Sequence, residues 1–337
     1  MDGFVESLLA APVGVELLAA LAGGVRRHTP GAMPFGSDRA AGAAKFVADV
    51  SFGELLSVAV DTALVRVGPW MSTSPANLTD AYRHAGDRRP IAETIAERFG
   101  PALHFPLDVT VQEWWHSGSP EVEWFTRPRF RRFDHVYGAG QFTFAGMWTA
   151  STPPPETHPH LIASWELEPD PVTRWHLPIE RDVRIWEIHR PADWVRLVTT
   201  FPAPGRSYEG WELPGPNQHR RQLAGLLAVD GQHAARLGVR QLVPDWAAVA
   251  DHFDGVHLSW AGFLTAEGFV SDLGGGDVTM LRYWFSERTL WLRDVFGEAV
   301  PLAAPHSGHP DVEVGIDVRY DITRMEQDKT VLRLQRG

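Results

Sequence analysis

The chain has 337 residues, of which 44% are hydrophobic and 22% charged, enough apolar material for one large domain or two ordinary ones and a mixture foreign to disordered or membrane-embedded chains. A formal net charge of −11 argues against general nucleic-acid binding, which needs clustered cations to meet phosphates. The absence of cysteine excludes disulfides, thiolate nucleophiles and cysteine-ligated metal sites, and it suits a reducing compartment.

The first 24 residues are largely apolar, but Asp2 and Glu6 stand where a secretory signal carries positive charge, and Pro12 and Glu16 interrupt the run. No membrane contact and a cytoplasmic location are therefore expected. The stretch SFGELLSVAVDTALVRVG places Phe52, Leu55, Leu56, Ala59 and Ala63 on one stripe, the mark of an amphipathic helix. Asn77 is placed to cap a helix that Gly86 would stop, and RPIAETIAERFG begins on Pro90 and ends on Gly100. The glycine- and alanine-rich segment from Thr29 to Ala44 reads as a loop between helices. Residues 1–113 are thus expected to form a helical region.

From Trp114 the texture changes to alternating aromatic runs broken by Pro and Gly. RFDHVYGAG and QFTFAGMWTAS predict two strands around a glycine turn, and VRIWEIH predicts another. RPADWVRLVTTF predicts a helix with Pro191 in its first turn. VPDWAAVADHFDG predicts a second, stopped by Gly255 and followed by a strand across VHLSWAGFL. ERTLWLRDVF and the tail DVEVGIDVRYDI alternate as strands. The expectation for residues 114–337 is an α+β domain with a mostly antiparallel, twisted sheet and short helices between strands.

No P-loop, no H-E-x-x-H and no G-x-S-x-G occurs, and the glycines of DLGGGDV precede no helical pattern. Histidine groups at His158/His160, His252/His257 and His306/His309 with Asp311 invite a metal reading, although Pro159 between the first two suggests an irregular loop. The assignment made from sequence names no metal ligand.

Four elements in order carry the stronger signal: the basic RPRFRRFDHVYGAG, then GMWTAST, then VRIWEIH, and finally SERTLWLRDVF, which opens on a carboxylate. This order resembles the ADP-ribosyltransferase superfamily over about residues 124–298. In that family an early strand supplies Arg or His, a second element carries an aromatic followed by hydroxyls, and a Glu begins a late strand. The resemblance implies NAD as substrate and cleavage of its nicotinamide–ribose bond by transfer or hydrolysis. It assigns catalysis to Glu287, Ser151 and Arg132, and nucleotide binding to His135, Trp148, Thr149 and Gly146. Arg127, Arg129 and Arg131 compete for the basic role, and Glu187 competes with Glu287 for the carboxylate.

The chemistry is coherent, because glycosidic cleavage passes through an oxocarbenium-like state that a carboxylate stabilises. Arg suits phosphate, and a flat indole suits nicotinamide. The reading asks Glu287, Ser151 and either Arg132 or His135 to converge on one cleft with Trp148 on its wall. Its rivals are a non-catalytic aromatic module that binds a protein or carbohydrate, and a histidine-based metal enzyme.

Overall fold

The computed structural model describes residues 2–23, 44–45, 47–64, 81–117, 128, 130, 146–165, 167, 171–205 and 240–305. Helices α1 (Asp2–Ala10) and α2 (Pro12–Gly23) meet at an 86° bend, as Pro12 lacks the N–H that would continue the first helix. Among the described residues no single helix is long and apolar enough to cross a membrane. Helix α3 (Phe52–Thr62) starts at a capping box, in which Ser51 Oγ accepts from the Glu54 N–H at 3.1 Å and Glu54 Oε2 accepts from the Ser51 N–H at 2.7 Å. Helix α4 (Arg89–Leu103) runs past Gly100 and Pro101, so neither residue stops it.

The remaining helices are short: α5 (His158–Ser164), α6 (Pro191–Thr200), α7 (Trp246–His252) and α8 (Trp260–Ala266). Helix α8 corrects an expectation. The run VHLSWAGFL was predicted as one strand, but the strand ends at Leu258 and Ser259 caps a helix by accepting from the Gly262 N–H at 3.1 Å. Gly262 is what permits this. An added Cβ would run into the Ile188 carbonyl and stand 2.7 Å from Leu258 Cδ1, so the helix can lie against the sheet only without a side chain at this position.

The fold is α+β, with two mixed sheets among the described residues. The larger is built from β1 (Gln112–Ser117), β2 (Met147–Ser151), β3 (Val172–His176), β4 (Ile185–Ile188), β7 (Gly255–Leu258), β10 (Arg288–Trp291) and β11 (Val300–Pro301), in the order β11-β3-β1-β2-β10-β7-β4. Its pairs are antiparallel except β4 with β7. The smaller sheet holds β5 (Pro202–Pro204), β6 (Arg240–Pro244), β8 (Val270–Gly274) and β9 (Asp277–Met280) in the order β5-β6-β9-β8.

One face of the larger sheet carries Trp115, Trp148, Ala150, Leu290, Val256, Leu258 and Ile188 into a core shared with Phe4, Leu17, Leu55 and Ile95 of the N-terminal helices. The main apolar core therefore runs across residue 113. The reverse face has a smaller apolar cluster around Met147, Leu177, Trp291 and Val295. Beside that cluster the face turns polar.

Candidate functional site

Cross-strand register writes the polar part of the reverse face. Glu187 on β4 stands opposite His257 on β7, His257 opposite Thr289 on β10, and Thr289 opposite Thr149 on β2. Directly paired residues share a face, and so do residues two apart on a strand. The row therefore extends to Glu287, two before Thr289, to Ser151, two after Thr149, and to Gln112, which pairs with Ser151.

Six of these side chains, all but Thr289, are hydrogen-bonded into one array. Ser151 donates to Glu287 twice, from its hydroxyl to Oε1 at 3.0 Å and from its backbone N–H to Oε2 at 3.1 Å. His257 places Nε2 at 3.0 Å from Glu287 Oε1 and Nδ1 at 2.5 Å from Glu187 Oε2. The Leu107 N–H reaches the other oxygen of Glu187 at 3.0 Å. Gln112 donates to Ser151 Oγ at 3.1 Å. The array is deepest at its centre, with the His257 side chain 2% exposed and Glu287 5%, and it reaches solvent at Glu187, 27% exposed.

The imidazole sits between two carboxylates and is held as imidazolium. Burial alone would lower its pKa, but hydrogen bonds to Glu187 and Glu287 and the charges behind them outweigh that and raise it to about 9. Glu187 responds in the opposite sense. Burial pushes its carboxyl up, yet the bond to His257, the imidazolium charge and the Leu107 N–H bring it below the usual carboxylate range.

Glu287 is delivered by a strained approach to β10. Tyr283 and Phe285 adopt φ of 69° and 64°, a left-handed region that costs bulky side chains about 1–3 kcal/mol each. The buried Glu267 carboxylate holds that turn, with Oε1 accepting from the Tyr283 N–H at 2.6 Å and Oε2 from the Trp284 N–H at 3.3 Å. Burial raises the Glu267 pKa to about 7, and the backbone donors together with Arg282 limit the rise.

The structure divides the residues expected from sequence. Glu287 and Ser151, 136 positions apart, are in direct contact, and Thr149 lies beside them on the same face. Gly146 is half-buried immediately before β2. Arg132 and His135 lie outside the described residues, as do His306, His309 and Asp311. Trp148 is a correction: it does not line this site. It alternates with Thr149 and faces the main core, where it meets Trp284 edge-on at 4.9 Å and is 6% exposed. The Arg288 guanidinium, on that same core face, stacks at 4.3 Å over Trp165 and lies 5.6 Å from the Trp148 ring. Glu187, the competing carboxylate, turns out to be joined to Glu287 through His257.

The rival readings lose their geometry within the described residues. His158 and His160 belong to α5 and not to a loop; His160 binds Asp61 at 2.6 Å and His158 packs against Trp115. Among the described residues no group of three or more His, Asp or Glu side chains is placed to hold a metal ion. The large apolar side chains left exposed among them are Phe105, Val300 and Leu302, with no tryptophan in that group; Trp70, Trp124 and Trp211 lie outside the described residues.

Sequence reasoning missed the linking roles of His257 and Gln112. Each left a trace as a polar residue next to apolar strand positions, in VHL and in QEWW, although Glu113 in the second is polar as well. Their partners are far away in sequence, and only strand pairing brings them together. No protein-family model, curated protein or solved structure matches this chain.

Proposed function

We propose that the chain cleaves an N-glycosidic bond of the kind that joins nicotinamide to ribose in NAD, as an ADP-ribosyltransferase or NAD glycohydrolase, with Glu287 as the catalytic carboxylate. The single observation that carries this reading is the Ser151–Glu287–His257 contact, in which one carboxylate is held from both sides by fixed donors. The reading taken from sequence required Trp148 on the wall of the cleft that holds Glu287; strand alternation puts the two on opposite faces, so that requirement fails and the proposal rests on the carboxylate array alone. The carboxylate chemistry stands without it.

The choice of bond follows from the protons. An O-glycoside needs a general acid for its leaving oxygen, and glycosidases supply it from a second free carboxyl. Here the second carboxylate, Glu187, is tied to His257, and both ring N–H groups of His257 are bound to carboxylates. Among the described residues the array offers negative charge and no spare acidic proton, since burial lowers the pKa of His189, the histidine 3.8 Å from Glu187. That suits a substrate whose leaving group departs neutral. When the C1′–N bond of nicotinamide riboside breaks, the electron pair goes to the pyridinium nitrogen and nicotinamide leaves without protonation. The ribosyl cation is stabilised by Glu287 and captured by water or an acceptor nucleophile, which then loses its proton to solvent. Ser151 keeps the carboxylate oriented during this charge build-up.

The test is nicotinamide release from NAD by the wild-type chain and by Glu287→Gln. Release that falls at least about a hundredfold in the variant is expected for loss of a charge that acts in the transition state. No release by the wild-type chain, or equal release by both, refutes the assignment.

A further inference from the structure

One side of the array has a forced direction, set by one group that can only donate and one that can only accept. The indole N–H has no acceptor capacity, so in the Trp291 Nε1 to Thr149 Oγ1 contact at 2.8 Å the hydroxyl accepts. The Asp108 backbone carbonyl can only accept, so the Gln112 atom 3.0 Å from it is the NH2; the amide oxygen therefore faces Thr149 at 2.5 Å and takes the hydroxyl's own proton. That settles the amide orientation, which the shape of the side chain alone leaves ambiguous. The Gln112 NH2 must point the other way, and it donates to the Asp108 carbonyl at 3.0 Å and to Ser151 Oγ at 3.1 Å. Ser151 Oγ, already accepting from Gln112, spends its own proton on Glu287 Oε1 at 3.0 Å.

Gln112 and Trp291 are fully buried and Thr149 is 1% exposed. A buried primary amide is costly unless all its groups are paired, and here the oxygen and both N–H positions are used. Such an amide, placed in a sheet face between an apolar cluster and a carboxylate, has one arrangement available.

We propose that Gln112, oriented by the Asp108 carbonyl, is a positioning residue that locks the Ser151 hydroxyl as a donor to Glu287. Ser151 is accordingly a holder of the carboxylate and not a nucleophile. The consequence for rate rests on the reading of Glu287 as the catalytic carboxylate; the chain of donors does not.

The experiment pairs two readouts on Gln112→Glu. Its side chain keeps the length of glutamine but presents oxygen to Ser151 in place of the NH2. Ser151 gives its proton to that oxygen, and Glu287 accepts from His257 with one competitor fewer. In the 15N-labelled protein the His257 Nε2–H resonance is expected to move downfield in Gln112→Glu. Nicotinamide release should drop about tenfold in kcat with KM unchanged, the size of one hydrogen bond to a charged group. A folded Gln112→Glu with an unshifted imidazolium overturns the proposal, and so does unaltered kcat in an active enzyme. An imidazolium that moves while even the wild-type chain releases no nicotinamide upholds the donor chain and defeats only the reaction. If Gln112→Glu does not fold, Ser151→Ala replaces it: Glu287 again loses the hydroxyl donor, the same resonance should move downfield, and release should fall about tenfold and not vanish. An unshifted resonance, or abolished release by a folded Ser151→Ala in an otherwise active enzyme, overturns the proposal.

Discussion

Replacing His257 by Gln removes the one cation between two carboxylates, and the cost can be worked from the site. The imidazole moves from its ordinary 6.5 to about 9 on folding. At about 1.4 kcal/mol for each tenfold change, that is a stabilisation on the order of 3 kcal/mol. Because the folded value lies above the unfolded one, the contribution is complete below pH 6.5 and is lost as pH rises through 9. About 2 kcal/mol of it disappears between pH 7 and pH 9 by the same linkage. The assay is urea unfolding of wild type and His257→Gln at both pH values. Glu267 and Arg288 also shift on folding but are common to both proteins, so the difference between the two isolates His257. Wild type should lose about 2 kcal/mol more than the variant over this window, and at pH 7 the variant should be less stable by about 3–5 kcal/mol, since it leaves Glu287 buried without its counter-charge. Equal pH slopes in the two proteins refute an imidazolium held between Glu187 and Glu287.

Trp148→Ala should cost about 3–5 kcal/mol by cavity formation in the main core, with no loss of nicotinamide release at temperatures where the variant stays folded, as a melting curve and a rate measured side by side will tell. Gly262→Ala forces a methyl into the Ile188 carbonyl, and a fall in the urea midpoint beyond that of an ordinary helix substitution is expected. Glu267→Gln removes a carboxyl whose folded pKa of about 7 lies above its ordinary 4.5; wild-type stability therefore falls as pH rises from 4.5 through 7, and unfolding at pH 5 and pH 7.5 should find that part of the slope, about 2 kcal/mol, missing from the variant.

Local pattern carried the parts of this fold that depend on neighbours in sequence. The stripe from Phe52 to Ala63 and Pro191 before Trp194 place helices because side chains three and four apart share a face whatever lies beyond them. The strand from Arg288 to Trp291 was legible in the same way. The prediction for Trp260 failed because WAGFL is apolar enough for either state, and the Ser259 cap with the close approach of Gly262 to β4 decided for helix. Glu287 and Ser151 could be named from sequence as candidates expected to converge, but not the hydrogen bonds between them, since these depend on the register of β2 against β10, which joins segments 136 residues apart.

Alternation by itself also determines that Trp148 and Thr149 look in opposite directions; what composition could not tell is which face is the core. The tertiary structure decided that, by laying the N-terminal helices against the Trp148 side, and it left the polar side to Glu187, His257 and Glu287. Burial of one face is a collective outcome of packing, and a charge such as that of His257 acquires its state only when partners 70 and 30 residues away close around it.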